Sequence, residues 1–299
     1  MIDAISLGAT LYLPATRLDL REIVAGGRIS GLRSVVICLE DSVRPEHVPL
    51  ALENVRGLLS RLDPHPHPVK IFIRPRDPAN LSRLLELPGI GRADGFVIPK
   101  ATAESLPDYL GRLTFDNHLL MPTLETREVL QPEGVTRLRE QLLAVQHRVL
   151  AIRIGGNDLL QALGARRSSV RTLYDGPLGP VVAGLVAAFA PYGFALSAPV
   201  FEHFGCDALL AEEVERDLEH GLYTKTAIHP SQVALIQSCY AVDPVELAQA
   251  RAIVAEGAPA VFGAGGSMCE PATHSRWARS TIARAAAFGT RREPLSAVS

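Results

Sequence analysis

Short apolar runs that end in charged residues recur through the first half of the chain, and they constrain the fold more than any other feature. The runs span residues 34–39, 69–73, 95–98, 118–121 and 148–154. The charged residues that follow them are Glu40, Asp41, Arg74, Lys100, Glu125 and Asp158. Short runs rich in Val, Ile and Leu are typical of parallel strands buried on both faces. Closing such strands into a barrel would bring their charged ends together.

Helical patterns between these runs complete an alternation of strand and helix. Predicted helices span residues 46–62, 81–87, 104–113 and 207–220. Residues 125–145 are predicted to be mostly helical, with an interruption at 132–134 that begins at Pro132. The runs 10–14, 194–199 and 221–230 supply a first, a seventh and an eighth strand. This alternation predicts an α/β fold, and eight such units predict a (β/α)8 TIM barrel over residues 1–240.

The residues beyond the predicted barrel, 241–299, form a C-terminal helical extension. Helices are predicted at 244–256 and 274–287, on either side of a Gly-rich segment. The glycines at 263–266 lack the lysine and hydroxyl that complete a P-loop, so we interpret this segment as a flexible connection. A barrel does not require the extension, and we expect it to pack on the barrel rim or on a neighbouring subunit.

Composition and charge weigh against several classes of protein. Hydrophobic residues make up 47% of the chain and charged residues 21%, which suits a large core rather than a disordered chain. The net charge of -2 gives no general support for binding nucleic acid or a membrane surface. No apolar stretch reaches the roughly 18 residues that spanning a membrane requires. The four cysteines lack CxxC spacing, and we expect a cytoplasmic protein.

Asp158 follows the run at 148–154 after two glycines, at the start of a predicted helix. Gly155 and Gly156 would let another group approach the backbone closely. Because Asp is a favoured helix cap, a structural and a functional role both remain open for Asp158. The repetition of charged residues at successive strand ends favours the functional role, since α/β folds place their chemistry there.

Seven short motifs occur in an order that resembles a known family. They lie at residues 39–43, 73–74, 98–100, 124–126, 156–159, 225–232 and 266–271. The chain resembles the citrate lyase β-subunit-like group of the HpcH/HpaI aldolase superfamily, which also holds malyl-CoA lyases. The resemblance implies a (β/α)8 barrel that binds Mg2+ through two carboxylates, at the positions of Glu125 and Asp158. Mg2+ prefers oxygen ligands and keeps several waters, so a chelating substrate would complete its octahedron.

The resemblance also implies roles for the other charged strand ends. Arg74 matches an arginine that contacts a substrate carboxylate or the enolate oxygen, as a candidate catalytic and substrate-binding residue. Glu40 and Asp41 match a catalytic acidic pair that would hold metal-bound water or orient Arg74, with a salt-bridge network at the barrel mouth as the alternative. Arg17 and Lys100 are candidate substrate-binding residues, and a rim ion pair is the alternative for each.

The C-terminal segment carries a further candidate catalytic residue, Glu270. In the related citramalyl-CoA and malyl-CoA lyases, a Gly-x-Met-x-Asp pattern delivers an acid into the active site of an adjacent subunit. Glu270 occupies the acidic position, where its extra methylene shifts the carboxylate enough to affect proton transfer, and a helix-capping role is the alternative. Cys38 and Asn157 replace acidic residues common in the family and remove negative charge near the metal.

Lys225, in the predicted eighth strand, invites a mechanistic role. A barrel lysine can form a Schiff base with a carbonyl substrate. The branch that the chain resembles depends on metal and uses no Schiff base, so we expect Lys225 to be a structural or substrate-anchoring cation.

The leading hypothesis is a Mg2+-dependent carbon–carbon lyase or aldolase that acts on a β-hydroxy acid or its CoA thioester through a metal-stabilised enolate. Its expected partners are the small hydroxy acid or acyl-CoA and, from the resemblance, further copies of the chain in a trimer or hexamer. A barrel retained as a non-catalytic or ligand-sensing subunit is the alternative, motivated by Cys38, Asn157 and Glu270. A phosphotransferring barrel is a third hypothesis, but the chain lacks a convincing nucleotide loop.

Overall fold

The computed structural model describes residues 3–63, 67–113 and 117–291, and its centre is a parallel sheet of eight strands. The strands are β1 (Ala9–Pro14), β2 (Ser34–Cys38), β3 (Lys70–Arg74), β4 (Gly95–Ile98), β5 (Leu119–Leu124), β6 (Ile152–Ile154), β7 (Leu196–Ser197) and β8 (Lys225–Ala227). Each strand from β1 to β6 pairs in parallel with the next one along the chain, and β8 pairs in parallel with β1. Right-handed crossovers through helices are the usual way to join parallel neighbours.

The sheet closes between β7 and β8. Ala198, directly after β7, forms a parallel bridge with Lys225 of β8. The Ala198 amide donates to the carbonyl of Thr224 over 2.8 Å, and the Thr226 amide donates to the carbonyl of Ala198 over 3.3 Å. These bonds complete a (β/α)8 barrel, which confirms the fold predicted from the sequence.

Helices follow the strands in turn. They are α1 (Leu20–Val24), α2 (Val48–Arg61), α3 (Pro78–Leu85), α4 (Leu106–Leu110), α5 (Pro132–Ala144), α6 (Gly156–Ala162), α7 (Leu178–Phe189), α8 (Asp207–Glu219) and α9 (Pro230–Cys239). Pro132 begins α5, because its fixed φ suits the first helical position and its missing N–H is not needed there. No helix in the described ranges is both long enough and apolar enough to cross a membrane.

Alternation along the strands separates two apolar clusters. Ile152 and Ile154 of β6 pack outward in a cluster with residues of α5, α6 and α7. Val36, Phe72 and Met121 belong to a second cluster, formed by the side chains that face the barrel interior. Because successive strand residues point to opposite faces, the residue between the two isoleucines of β6 points inward. That residue is an arginine, Arg153, and it is 1% exposed.

The chain divides into two compact units, Met1–Ile236 and Gln237–Ser299. The second holds α10 (Pro244–Ile253), a hairpin of β9 (Phe262–Ala264) and β10 (Ser267–Cys269), and α11 (Pro271–Phe288). Within it, Arg284 of α11 pairs with Glu246 of α10 over 3.1 Å.

The Gly-rich segment of the second unit is an ordered turn, and its interpretation as a flexible connection is therefore wrong. Gly265 and Gly266 join the antiparallel strands β9 and β10 with φ angles of +56° and +79°. A two-residue hairpin turn with both φ angles positive favours glycine, because a side chain would be strained there.

Candidate metal and substrate site

A cavity of about 360 Å³ opens at the carboxyl ends of the barrel strands. Four of the predicted charged residues contribute to its lining, namely Asp41, Arg74, Glu125 and Asp158. They come from different strand ends, after β2, at the end of β3, and after β5 and β6. The parallel barrel therefore brings them together as the sequence pattern suggested.

Glu125, directly after β5, is held by two donors on one of its carboxylate oxygens. Its Oε1 accepts a hydrogen bond from Arg74 Nη2 over 2.9 Å and one from the backbone amide of Lys100 over 2.7 Å. Lys100 has a φ of +48°, which is uncommon for a residue with a side chain. Its amide contact with Glu125 accompanies that strained conformation, as is often seen at functional sites.

The other side of the Glu125 carboxylate faces Gly155. A Cβ atom on Gly155 would lie 2.4 Å from the Glu125 Cβ and 2.6 Å from its Oε2. Real atoms do not approach so closely, so only glycine leaves room for this carboxylate. The close approach that the two glycines suggested is thus an approach by Glu125.

Asp158 lies in the first turn of α6 and lines the cavity. Gly155 occupies the cap position of that helix, and no side chain forms a cap hydrogen bond there. Asp158 is therefore not the N-cap residue. Its half-buried carboxylate borders the cavity and is also hydrogen-bonded to its own backbone amide. Burial, together with the charge of Asp41, raises the pKa of Asp158.

The pKa of Glu125 is raised to about 7, mainly because the carboxyl group is buried. Arg74 and the Lys100 amide oppose this effect, while the charges of Asp158 and Glu40 add to it. Two carboxylates whose charges disfavour one another are the setting in which a bound cation is stabilising. Glu125 and Asp158 therefore fit a hard divalent cation such as Mg2+ in their donor chemistry.

The donor set supplies few protein ligands. Within residues 3–63, 67–113 and 117–291, no group of three or more His, Cys, Asp or Glu side chains is arranged to hold a metal ion. Mg2+ commonly binds through one or two carboxylates and completes its shell with water and substrate oxygens. A site made of Glu125 and Asp158 would supply two carboxylate ligands and leave the other coordination positions of Mg2+ for water and substrate oxygens.

Arg74 lies in an ion-pair network with the acidic pair. Its Nη2 is 2.8 Å from Glu40 Oε2 and 2.9 Å from Glu125 Oε1, while the Nε atom is buried without a partner. Lys100 Nζ pairs with Glu40, and it lies 3.2 Å from Asp41 Oδ1. Burial raises the pKa of Glu40, and the hydrogen bond with Asp41 adds to this. Glu40 and Glu125 therefore both hold the same guanidinium nitrogen of Arg74, its Nη2.

The two candidate substrate-binding cations Arg17 and Lys100 do not line the cavity. Arg17 is exposed and pairs with Asp19 over 2.6 Å. The ammonium group of Lys100 is turned toward Glu40 and Asp41. Contact of either cation with a substrate remains a prediction.

Glu270 lies in the second unit at the N-terminus of α11. Its Oε2 accepts a hydrogen bond from the hydroxyl of Thr273 over 3.0 Å. The backbone amide of Glu270 donates to His274 Nδ1 over 3.1 Å. These contacts resemble a helix cap, although no side-chain bond to a helix amide is formed. The catalytic role of Glu270 remains a prediction.

Sequence reasoning missed two contributors to this site. One is the Lys100 backbone amide, whose φ angle is not visible in the sequence. The other is Arg153, whose signal was present as a charged residue between Ile152 and Ile154 inside a buried run. Arg153 lines the cavity together with Thr123 and Thr226.

Lys225 faces away from the barrel interior toward α8. Its Nζ lies 2.9 Å from Glu213 and 2.8 Å from Asp217, and all three side chains are fully buried. Arg167 also pairs with Glu213. This arrangement favours the structural role for Lys225 over substrate anchoring.

The barrel and its charged strand ends define a TIM-barrel protein whose site lies where such folds carry their chemistry. The chain belongs to the C-C_Bond_Lyase family of the TIM-barrel fold, whose model matches residues 1–290. This assignment confirms the family resemblance predicted from the seven motifs.

The individual proteins that match this chain share less than 30% of its residues. A protein of Cereibacter sphaeroides named (3S)-malyl-CoA thioesterase is 26% identical over 240 residues, which cover 80% of this chain and 79% of the relative. The crystal structure of CitE from Mycobacterium tuberculosis, in complex with magnesium, acetoacetate and coenzyme A, superposes with a TM-score of 0.68 at 20% identity, over 95% of this chain and 99% of that one. RipC from Yersinia pestis gives a TM-score of 0.62 at 22% identity, over 82% and 100% of the two chains. These structural similarities support the barrel fold.

Proposed function

We propose that this protein is a Mg2+-dependent carbon–carbon lyase that acts on a small hydroxy acid or its CoA thioester. The observation that carries the proposal is the placement of Glu125. One carboxylate oxygen is held by Arg74 and the Lys100 amide, and the other lies over Gly155 beside the cavity that Asp158 lines. Membership of a family of carbon–carbon bond lyases supports the same reaction class.

Glu125 and Asp158 are the residues that would hold Mg2+. When bound, Mg2+ supplies a Lewis acid that stabilises the enolate oxygen left by cleavage of the carbon–carbon bond. The magnesium in the CitE crystal structure supports this choice of metal. Asn157, beside Asp158, leaves the ion less negative charge than an acidic neighbour would.

Arg74 binds the anionic end of the substrate in this proposal. Its guanidinium is always charged and is fixed in place by Glu40 and Glu125, so little reorganisation is needed when a carboxylate or a developing oxyanion arrives. Asp41 lines the cavity and is half exposed, which suits proton exchange through water. Glu270 of an adjacent subunit would supply a further acid, in a trimer or hexamer.

Hydrolysis of a CoA thioester is the second candidate function. The observation that favours it is the name of the relatives, (3S)-malyl-CoA thioesterase, and coenzyme A is present in the CitE complex. The two reactions leave different products from the same thioester. A lyase releases glyoxylate and acetyl-CoA from malyl-CoA, whereas a thioesterase releases malate and free CoA.

Titration of chelator-stripped protein with Mg2+, combined with product analysis on (3S)-malyl-CoA, tests this proposal. We expect Glu125→Gln and Asp158→Asn each to weaken Mg2+ binding by at least about tenfold, because each removes a charged oxygen ligand. Gly155→Ala should weaken it comparably by displacing Glu125. Gly184→Ala is the matched control, since its Cβ would meet no atom within 4 Å.

Product identity then separates the candidates. Glyoxylate formation that requires Mg2+ and Glu125 supports the lyase, and malate formation supports the thioesterase. Mg2+ binding that is equally tight in Glu125→Gln and in the parent would refute the metal site. Mg2+ binding without turnover of hydroxy-acyl compounds would favour the non-catalytic, ligand-sensing alternative.

A further inference from the structure

A separate cavity of about 390 Å³, called the arginine cavity below, lies in the first unit of the chain. It is lined by Leu160 of α6, by residues of the segment 166–177 and by Leu178, the first residue of α7. Among the described residues, none lines both this cavity and the one that Glu125 and Asp158 border. The proposed reaction therefore does not account for the arginine cavity.

Three arginines from one short stretch of the chain line the arginine cavity. They are Arg166, Arg167 and Arg171. Ser168 orders the backbone between them, because its hydroxyl oxygen accepts hydrogen bonds from the amides of Val170 over 3.2 Å and of Arg171 over 3.1 Å. The segment that carries the three arginines is therefore a hydrogen-bonded turn.

The carboxylate among the described lining residues, Asp175, is already neutralised by other groups. Arg216 Nη1 lies 2.5 Å from its Oδ1, and the Thr172 hydroxyl donates to its Oδ2 over 2.7 Å. The hydrogen bonds from Thr172 and Arg216 hold the pKa of Asp175 below its usual value. Asp175 is therefore ionised and engaged with Arg216, which leaves the three lining arginines without a counter-charge from it.

Two of the lining arginines carry charge that the protein does not balance closely. Arg171 is exposed, and no carboxylate in the part of the chain that the structure describes pairs with it. The Arg166 side chain is 90% exposed, and its Nε lies 3.9 Å from Glu202 Oε1, at the outer limit of an ion pair. The arginine cavity therefore has a surplus of positive charge.

Arg167 adds a buried donor that has no acceptor. Its side chain is 1% exposed, its Nη1 donates to the carbonyl of Val200 over 2.6 Å, and its Nη2 pairs with Glu213. Its Nε atom is buried and has no hydrogen-bond partner among the described residues. An unsatisfied N–H on a buried cation is costly unless a ligand completes it. This atom indicates a ligand independently of the surplus charge.

The N-terminus of α7 also faces this cavity. Gly176, Pro177 and Leu178 contribute to the lining, and no side chain forms a cap hydrogen bond at this end of the helix. The N-terminus of a helix carries a partial charge of roughly +0.5, which attracts anions. Because α7 is 12 residues long, its dipole adds to the charge of the arginines.

Apolar side chains supply another part of the lining. They belong to Leu160, Val170, Leu173 and Leu178. Val170 is 80% exposed although it borders a cavity. A phosphate ion alone would not fill a space of this size or contact these side chains. A ligand that joins an anionic group to an apolar body would match both parts of the lining.

We propose that the arginine cavity binds a small organic phosphate, with the phosphoryl group at Arg166 and Arg171 and the organic part against Leu173 and Leu178. A guanidinium recognises phosphate oxygens through paired, charge-assisted hydrogen bonds. A phosphate monoester carries a charge of about −1.5 to −2 at pH 7 and three acceptor oxygens, so it matches two unbalanced arginines better than a carboxylate does. The site is separate from the metal and does not depend on the proposed reaction.

Calorimetric titration of the metal-free full chain with phenyl phosphate, inorganic phosphate and benzoate tests this assignment. Phenyl phosphate joins a phosphoryl group to an apolar ring, and each of the other two probes lacks one of these parts. We expect phenyl phosphate to bind at least about tenfold more tightly than benzoate, because of the additional charge-assisted hydrogen bonds. It should bind at least about threefold more tightly than inorganic phosphate, because its ring is removed from water.

The probes also distinguish the two sources of a phosphoryl group. Equal affinity for phenyl phosphate and inorganic phosphate would overturn the assignment of an organic phosphate and indicate a site for the free ion. Benzoate that binds as tightly as phenyl phosphate would overturn the choice of a phosphoryl group.

Variants locate the binding in the arginine cavity. Arg171→Gln should weaken phenyl phosphate binding by about tenfold, and Arg166→Gln by about threefold because its side chain is more exposed. Both arginines are exposed, so we expect these variants to fold like the parent. Arg83→Gln is the matched control, since Arg83 is exposed on α3 and does not line this cavity.

A last comparison excludes binding at the metal and substrate site. There, Arg74 is the cation that a phosphoryl group would meet. We expect Arg74→Met to bind phenyl phosphate within about twofold of the parent. Binding that Arg74→Met abolishes and Arg171→Gln leaves unchanged would overturn the proposal, as would a loss in Arg83→Gln equal to that in Arg171→Gln.

Discussion

Glu125 shows how contacts from three strand ends place one carboxyl group. Arg74 approaches it from the end of β3, the Lys100 amide from the turn after β4, and Gly155 leaves room for it beside β6. Each contact alone is ordinary. Together they hold the carboxyl group in a buried position, where its ionisation is unfavourable without a nearby cation. Cation binding by Glu125 should therefore depend on pH.

Mg2+ affinity should fall as the pH falls through 7. Burial raises the pKa of Glu125 to about 7, and protons compete with the metal for the carboxylate below that value. Glu125 would be mostly ionised at pH 8 and mostly protonated at pH 6, so we expect Mg2+ binding to weaken by about tenfold between them. Calorimetric titrations at pH 6, 7 and 8 measure this directly. An affinity that does not change over this range would contradict the pKa.

The same shift has the opposite consequence for the metal-free fold. Because the pKa of Glu125 in the folded chain lies above its ordinary value of 4.5, the neutral acid is the form that folding favours. Its contribution to stability is therefore fully present below about pH 4.5 and is lost as the pH rises through 7. Glu125→Gln should abolish this contribution, which makes it the control for both the binding and the stability measurements.

The sequence could predict Glu125, Asp158 and Arg74 as members of one site. A charged residue directly after a buried strand is hard to explain by packing alone, and here it recurs at several strand ends. It could not predict how Lys100 contributes. The side chain of Lys100 was the expected contact, but the backbone amide is the group that bonds Glu125. Arg153 was missed because the sequence does not show which face of its strand points into the barrel. In a strand buried on both faces, polar and apolar residues do not alternate, so the inward positions cannot be recognised.

At the scale of elements, β8 and α8 are joined by buried charge. Lys225 of β8 pairs with Glu213 and Asp217 of α8, and Arg167 also reaches Glu213. Burial raises the pKa of Asp217 to about 6, and Lys225 opposes that rise. The Tyr174 hydroxyl donates to Asp217 over 2.6 Å and satisfies its second oxygen. The strand and helix are therefore joined by a buried ion-pair network. Removing one member would leave a buried charge without its partner, which is destabilising.

Removing Lys225 should destabilise the barrel severely. Lys225→Met leaves Asp217 without its cation and Glu213 with only Arg167, and we expect a loss of about 3–5 kcal/mol in the free energy of unfolding, as for breaking one partner of a buried pair. Chemical denaturation of the full chain measures the loss. Arg56→Met is the matched control, because its pair with Glu53 is exposed and should contribute less than about 1 kcal/mol. A loss below about 1 kcal/mol for Lys225→Met would contradict a structural role.

Element types were more predictable than their ends. Apolar periodicity located the helix α2 and the eight strands, since both patterns follow from which faces are buried. It placed Pro132 as an interruption of a long helix, whereas this proline begins α5. The turn at Gly265 and Gly266 was also misjudged, because two adjacent glycines suit a flexible segment and a tight hairpin equally well.

At the scale of the whole molecule, the barrel could be predicted because eight alternating units have few ways to bury their faces. The extension was predicted at residues 241–299, and the second compact unit spans Gln237–Ser299. Packing of the extension on the barrel rim or on a neighbouring subunit stays a prediction. Such contacts are fixed by the shapes of two surfaces, and a pattern of residues along one chain does not specify them.

Mixing two inactive variants tests whether Glu270 acts on a neighbouring subunit. Arg74→Met disables the barrel site, and Glu270→Gln removes the acid from the extension, so each variant alone should lose most lyase activity. If each site combines Arg74 of one chain with Glu270 of another, subunits exchanged at equal ratio would restore about one quarter of the sites. Recovery of Mg2+-dependent glyoxylate formation after unfolding and joint refolding measures this. Separately refolded variants are the control. No recovery in the mixture would place Glu270 at its own chain's site, because every site would then lack one of the two residues. A Glu270→Gln variant that is active alone would place Glu270 outside the chemistry.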